Sequence, residues 1–302
     1  MAGPIVAIGE MLWDLLPSGP RAGGAPFNFA FHCQQLGHPA VIVSRVGDDD
    51  LGRQLRDEVR RLGLSEEFIQ ADPTHPTGTV EVGVDAAGQP NYTITDNVAW
   101  DHIEWREEFN PLIRSARTVC FGTLAQRTHA TRQTLHRFVA SSRSNRSTIC
   151  DLNLRPPFDD EETIKKSIRL ADVVKLNEGE LETVRGHYDT VRRMEHLYRN
   201  DPDRRRQSIL CGLDLALMCI TRGERGCQIW TFDEEVDVPG IPVEVVDTVG
   251  AGDAFTAGLV TQMFEGKKLA EAARFANAFA ALVASRPGGT PKVDRAEVEA
   301  LC

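Results

Sequence analysis

The sequence lacks the long apolar runs, basic leader and clustered positive charge that mark several large classes of protein. No apolar run approaches the roughly 20 residues that a membrane-spanning helix needs. The apolar N-terminal stretch contains Glu10 and Asp14 and no basic leader. With 34 Lys and Arg against 44 Asp and Glu, the net charge of -10 disfavours a general nucleic-acid or membrane-surface binder. We therefore expect a soluble cytoplasmic protein.

The cysteines and the missing motifs exclude further classes. The seven cysteines are irregularly spaced without a C-x-x-C, so buried thiols in a reducing compartment are a better interpretation than disulfides or zinc ligands. The chain has no G-x-x-x-x-G-K-[ST] phosphate loop, no H-R-D set of protein kinases, and no G-x-G-x-x-G after its first predicted strand. The last absence argues against a Rossmann-type dehydrogenase.

The hydrophobic pattern predicts an α/β fold. Short apolar strands at 5–8 and 40–47 alternate with helical segments at 23–37 and 48–63. This order favours a doubly wound, mainly parallel sheet flanked by helices. Further strands are predicted at 118–122, 147–153, 173–177 and 215–223, a helix at 128–142, a hairpin from 227–232 and 236–240, and a mostly helical stretch, broken near Gly266, at 253–285.

Residues 77–103 follow a different pattern. Polar and apolar side chains alternate around a predicted turn at 85–90, which indicates a hairpin with one exposed face. We expect a small β lid, with elements at about 13–22 and 77–103, on a single domain that spans 1–302. Since only eight residues separate Asp14 from Gly23, the second segment should supply most of it. The charged cluster at 201–207 is predicted to be a solvated loop.

The strongest chemical signal is D-T-V-G-A-G-D at 247–253, ahead of a predicted helix. Glycines let the backbone approach an anion, and the first N–H groups of a helix are unpaired, so Gly250, Ala251 and Gly252 are predicted to form an anion hole. A carboxylate there would repel phosphate, which makes Asp253 the candidate general base for a hydroxyl that attacks a phosphoryl group. A capped helix start is the alternative.

This run resembles the C-terminal signature of the ribokinase-like sugar kinases, often called the PfkB family. The resemblance extends from Gly9 to Gly289, and G-E-x-x-x-D at 9–14 and D-L-N-L-R-P-P are most similar to the fructokinase branch. The further blocks, in the family's order, are G-G-A-P-F-N at 23–28, G-D-D-D-L-G at 47–52, D-L-N-L-R at 151–155, N-E-G-E at 177–180 and T-R-G-E-R-G at 221–226.

The resemblance implies substrate contacts in the first half of the chain and at one arginine. Asp14, just past the first strand, would hydrogen-bond sugar hydroxyls, and Gly24 would allow close backbone approach. Asn28 can donate to and accept from hydroxyls, and Arg155 can bind a phosphate or substrate oxygen bidentately. The structural alternatives are a solvated turn acid for Asp14, a backbone hydrogen bond for Asn28, and an ion pair for Arg155.

The resemblance also implies a nucleotide and metal site in the second half. ATP and Mg2+ are the expected cofactors, and K+ is a further candidate. An exposed helix turn is the alternative for Glu180, and a polar residue inside a helix for Asn277. The matching residues are Asn177, Thr221, Gly223 and Asn277 for the nucleotide, Glu180 for Mg2+ through water, and Asp247 for K+.

These features predict an ATP-dependent carbohydrate kinase with fructose as its leading substrate. The alternatives within the family are 2-keto-3-deoxygluconate, ribose, a nucleoside or tagatose-6-phosphate, and the non-enzyme alternative is a catalytically silent sugar-binding relative. The expected partner is a small sugar, with a second copy of the chain as a candidate, and neither nucleic acid nor membrane. Packing is preferred over sugar contact for Trp13, Phe27, Tyr92 and Trp100.

Overall fold

The computed structural model describes residues 3–16, 19–84, 90–142 and 146–302. The strands in these ranges are β1 (Ile5–Ile8), β2 (Leu12–Leu16), β3 (Gly19–Gly23), β4 (Ala40–Gly47), β5 (Ile69–Asp72), β6 (Gly78–Val84), β7 (Pro90–Ile94), β8 (Thr118–Phe121), β9 (Thr148–Asp151), β10 (Val173–Asn177), β11 (Leu217–Thr221), β12 (Cys227–Thr231) and β13 (Glu235–Val238). The α-helices are α1 (Ala25–Gln35), α2 (Asp50–Arg61), α3 (Phe109–Ser115), α4 (His129–Ser142), α5 (Glu161–Leu170), α6 (Glu178–His187), α7 (Asp189–Leu197), α8 (Pro202–Leu213), α9 (Ala251–Phe264), α10 (Leu269–Ala284) and α11 (Arg295–Ala300).

The larger sheet is doubly wound, as the sequence predicts. Among the described residues its strand order is β13-β12-β11-β10-β9-β8-β1-β4-β5. The pairs from β11 to β5 are parallel, and the β12 and β13 edge is antiparallel. The chain begins at β1 and adds strands on both sides of it. Ligands of open α/β sheets bind at such a switch point, beyond the carboxyl ends of the strands.

Helices cover both faces of this sheet, which explains why β1 is apolar throughout. Along β1, Val6 and Ile8 contact a cluster with α3 to α8, whereas Ile5 and Ala7 contact one with α1, α2 and α9. This alternation follows the period of two in a strand. All four residues are buried, so a run without polar positions is the expected signature of a strand that is covered on both sides.

A second sheet has the strand order β3-β2-β6-β7 within the described residues. β6 pairs with β7 in antiparallel orientation, as predicted for a hairpin, while the predicted turn at 85–90 falls on residues 85–89, outside the described ranges. Residues 77–103 supply β6 and β7, and β2 and β3 form the other two of its four strands. That this sheet closes as a lid stays a prediction.

The charged cluster at 201–207 is not a solvated loop. Asp201 caps α8 by accepting a hydrogen bond from the Arg204 backbone amide, and Pro202 occupies the first helical turn. Arg206 is buried and pairs with Asp203. An Asp followed by Pro is a helix-start signal. The prediction was wrong because a dense cluster of charges is compatible with the exposed first turns of a helix as well as with a loop.

The aromatic and sulfur-containing side chains mostly belong to the core. Trp13, Phe27 and Trp100 are buried, and the Trp13 indole donates to the Leu51 carbonyl oxygen at 3.0 Å. The Tyr92 side chain lies outside what the structure describes. Across the described residues, no helix is long and apolar enough to cross a bilayer. All seven cysteines are free, with Cys33, Cys120, Cys150, Cys219 and Cys227 buried and Cys211 and Cys302 exposed.

Candidate active site

The glycine-rich run at 247–253 forms the turn that starts α9. Gly250 is the N-cap residue with φ of +76°, a left-handed conformation that favours glycine. A Cβ atom at Gly250 would also collide with the Gly289 carbonyl oxygen. Asp253 lies in the first turn of α9 and is buried. The turn therefore holds a carboxylate at a helix N-terminus, where the Ala251 amide donates to the Thr248 carbonyl oxygen at 3.3 Å.

A cavity of about 360 Å³ opens at this turn. Its polar side chains come from the segment between β1 and β2, from β2 and α1, from the segment that follows β9, and from β10. The cavity therefore lies at the carboxyl edge of the larger sheet. Ala251 is not among the residues that line it. The predicted catalytic and substrate residues that line it are Asp14, Gly24, Asn28, Arg155, Gly250, Gly252 and Asp253.

The environment of Asp253 suits a general base. Burial, and then the charge of Asp151, raise the pKa of Asp253 from 3.8 to about 6. The Asn28 side-chain amide opposes this shift by donating a hydrogen bond to Asp253 Oδ2 at 2.9 Å. A carboxyl group with a pKa just below neutral is mostly ionised at pH 7 and still takes up a proton readily.

Lys175 is a feature of the site to which the sequence analysis assigned no role. Its Nζ atom lies 3.0 Å from both carboxylate oxygens of Asp151. A Cβ atom at Gly252 would lie only 2.9 Å from the same Nζ atom. The Thr256 hydroxyl, one turn along α9, donates a hydrogen bond to Asp151 Oδ2 at 2.9 Å. A buried cation is thus fixed next to the predicted anion hole. In the sequence, the lysine between apolar residues of β10 is the feature that could have indicated it.

Two further carboxyl groups face the same cavity. Burial raises the pKa of Asp14 to about 6, with a further contribution from the charge of Asp247. Burial likewise raises the pKa of Glu10 to about 7, and Arg155 opposes both shifts. Arg155 itself is exposed, donates to the Leu154 carbonyl oxygen at 3.2 Å, and has no ion-pair partner among the described residues. Its guanidinium group is available to a ligand.

Asn177 and Glu180 form a capping box at the start of α6. Asn177 Oδ1 accepts from the Glu180 amide at 2.9 Å, and Glu180 Oε2 accepts from the Asn177 amide at 2.8 Å. Glu180 Oε1 accepts from the Leu154 amide at 2.7 Å. Glu180 is therefore a buried residue that joins α6 to the segment after β9, rather than an exposed acid.

The other predicted nucleotide and metal residues do not line this cavity. Thr221 is the register partner of Asn177 on β11. Asn277 donates to the Val238 and Pro239 carbonyl oxygens at 3.3 and 3.1 Å. The Asp247 carboxylate accepts from the Val249 amide at 3.0 Å and from the Gly288 amide at 2.9 Å. Gly223, with φ of +59°, starts a short 3-10 turn after β11. Their ligand roles stay predictions.

Known proteins resemble the chain over nearly its whole length. A family model described as pfkB family carbohydrate kinase matches residues 19–296. Fructokinase-2 of Solanum lycopersicum is 30% identical over 99% of this chain and 95% of its own. An uncharacterized sugar kinase from Pyrococcus horikoshii, solved in complex with ATP, is 27% identical with a TM-score of 0.76, covering 99% of this chain and 100% of that one. The fructokinase of Xylella fastidiosa with bound ATP shares the fold, with a TM-score of 0.80 at 22% identity over 100% and 98% of the chains.

Proposed function

We propose that this chain, which belongs to the pfkB family of carbohydrate kinases, transfers the γ-phosphate of ATP to a hydroxyl group of fructose. The observation that carries the proposal is Asp253, a buried carboxylate with a raised pKa at the N-terminus of α9. The curated relatives named fructokinase support fructose as the acceptor. The Pyrococcus horikoshii structure with ATP supports ATP as the donor.

The proposed reaction assigns a role to each group around Asp253. Asp253 takes the proton of the attacking hydroxyl as the new oxygen–phosphorus bond forms, and Asn28 orients its carboxylate. The backbone amides of Gly250 and Gly252 and the ammonium group of Lys175 stabilise the charge of the transferred phosphoryl group. Asp14, Gly24 and Arg155 line the sugar side of the cavity. Asn177, Thr221, Gly223 and Asn277 are proposed to lie along the nucleotide.

The donor set near Glu180 fits a magnesium ion that is held mostly by water and phosphate. The described residues contain no group of three or more His, Cys, Asp or Glu side chains that could form a protein cage. Each Glu180 oxygen accepts one amide and keeps a second lone pair. When bound, Mg2+ neutralises charge on the phosphates of ATP. Each oxygen of the Asp247 carboxylate likewise accepts one backbone amide and keeps a second lone pair for a cation, so Asp247 is the proposed K+ residue.

A 2-keto-3-deoxygluconate kinase is the second candidate, and Arg155 is the observation that favours it. An arginine at the cavity without an ion-pair partner among the described residues can bind the carboxylate of a sugar acid. Fructose remains the first choice because Glu10, Asp14 and Asp253 line the same cavity and disfavour a negatively charged substrate.

A coupled ADP-release screen tests the proposal. The panel contains fructose, other ketoses, aldoses, nucleosides and 2-keto-3-deoxygluconate, with Mg2+ and with or without K+. We expect the highest kcat/KM for fructose, and a smaller loss on fructose than on 2-keto-3-deoxygluconate when Arg155 is replaced in Arg155→Ala. Activity on the sugar acid with none on fructose would establish the second candidate. No ADP release with any acceptor would contradict both and favour a catalytically silent relative.

A further inference from the structure

Glu10 is a buried acid whose hydrogen-bonding capacity the fold does not use completely. It follows β1, is 3% exposed, and lines the same cavity as Asp253. Its Oε2 atom has no hydrogen-bond partner among the described residues. A buried polar atom without a partner destabilises a fold, so such atoms need an explanation. A ligand that forms a hydrogen bond with this Oε2 atom would explain it.

A second unpartnered acceptor lines the same cavity. The Asn28 amide group donates to Asp253 Oδ2, which fixes the orientation of that side chain, and its Oδ1 atom is buried without a partner among the described residues. Both unpartnered atoms are oxygens that accept hydrogen bonds. Hydroxyl groups are the donors that a sugar offers, and a sugar offers several of them, so two such oxygens in one cavity match a polyhydroxylated ligand.

A structural role at the start of α1 explains only some of the properties of the Glu10 carboxyl group. The backbone amides of Glu10 and Ala25 stabilise its carboxylate at the start of α1. Burial is the larger effect and, together with the charge of Asp253, raises the pKa of Glu10 to about 7. At neutral pH the group is therefore present in both its neutral and its ionised form. It can donate to a substrate hydroxyl as well as accept from one, and neither action is needed to start a helix.

We infer that Glu10 is a further substrate-binding residue, and that its carboxyl group binds a sugar hydroxyl other than the one that is phosphorylated. The inference rests on the proposed function, because Asp253 is then occupied by the reacting hydroxyl. It also narrows the substrate class. A neutral polyol satisfies Glu10, whereas an anionic substituent on this side of the cavity meets Glu10 and Asp14 together.

The test compares Glu10→Leu, Glu10→Gln and wild type on the sugar that wild type uses best. Glu10→Leu should raise the KM for that sugar about tenfold, the size expected for one lost buried hydrogen bond. Glu10→Gln keeps a donor and an acceptor and should change this KM less. The KM for ATP should stay the same in both. A deoxy-sugar that lacks the hydroxyl bound by Glu10 should have the same KM with wild type and with Glu10→Leu.

Controls separate this role from folding and from the proposed function. Glu265→Gln alters a carboxylate that pairs with Arg295 outside the cavity and should leave the sugar KM unchanged. If Glu10→Leu does not fold, Glu10→Asp, one methylene shorter, must raise the sugar KM instead. An unchanged sugar KM in the folded variant, or an equal rise for ATP and for every deoxy-sugar, would overturn the role of Glu10 alone. A wild type without activity on any sugar would overturn the proposed function as well.

Discussion

The sugar side and the nucleotide side of the proposed site differ in how far the fold uses their polar groups. On the sugar side, Glu10 and Asn28 each keep an unpartnered buried oxygen among the described residues. On the nucleotide side, both oxygens of Glu180 and the side-chain amide of Asn277 are engaged with the backbone.

The pKa shifts do not separate the two sides in this way. Burial raises the pKa of Glu10 to about 7 and those of Asp14 and Asp253 to about 6, and it also raises the pKa of Glu180. The difference lies in the unpartnered oxygens of the sugar side, which a ligand can satisfy. Substitutions on the sugar side should therefore change catalysis more than stability, and those on the nucleotide side should affect stability first.

The largest expected effect is that of Asp253→Asn. Without a base, kcat should fall by about 10²–10⁴, while ATP affinity stays similar. Because the folded-state pKa is raised from 3.8 to about 6, ionisation of Asp253 lowers stability as the pH rises through that range. At pH 8 the variant should thus unfold at the same temperature as wild type or higher. ADP release measures kcat and calorimetry measures the unfolding temperature. Asp233→Asn, at an exposed aspartate, is the control.

Lys175→Met should break the division between the two sides, because Lys175 belongs to the same strand as Asn177 and lines the sugar cavity. Leaving Asp151 buried without its cation should cost about 3–5 kcal/mol of stability. Loss of the charge at the anion hole should lower kcat by about 10²-fold or more.

The double variant Lys175→Met with Asp151→Asn separates these effects. We expect denaturant unfolding to show that stability is partly recovered, since position 151 no longer holds a buried charge without its cation, and we expect kcat to stay low. Recovery of kcat would show that Lys175 acts only through the fold. Lys165→Met, at a lysine paired with Glu161 on α5, is the matched control and should change neither quantity much.

The pH dependence of kcat/KM sharpens the assignment of the base. Asp253 acts in its ionised form and its pKa is about 6, so the rate should fall tenfold per pH unit below that value. The Asn28 hydrogen bond lowers this pKa, so Asn28→Ala should move the acidic limb to higher pH. A limb that is unmoved in Asn28→Ala would place the titration on another group.

The smallest expected catalytic effect is that of Glu180→Gln on the nucleotide side. Glutamine has one acceptor oxygen, so either the Leu154 or the Asn177 amide loses its partner, at about 1–3 kcal/mol of stability. At saturating Mg2+, kcat should fall less than in the other variants, and more Mg2+ should be needed for half-maximal rate. Glu178→Gln, on the same turn, is the control. A loss of kcat as large as in Asp253→Asn would erase the difference between the two sides.

Much of the fold could be predicted because its signals are local. β1 is an apolar run and β4 begins with one, and α2 begins with acidic residues and ends near Gly63. The glycine-rich turn before α9 is local too, since the positive φ of Gly250 excludes most other residues. The pairing of β2 with β6 in the second sheet could not be predicted in the same way, because the two strands lie more than 60 residues apart.

The sequence by itself determined the alternation of strands and helices at the start of the chain, the turn at 247–253, and the presence of Asp14, Asn28 and Asp253 in blocks typical of sugar kinases. Only the tertiary structure decided that Asn28 holds Asp253, that Lys175 pairs with Asp151 beside Gly252, and that Glu10 faces the same cavity. The reason is physical. A motif fixes which groups are present and the local backbone, whereas desolvation and charge pairing, which set the pKa of a carboxyl group, depend on what distant segments pack around it.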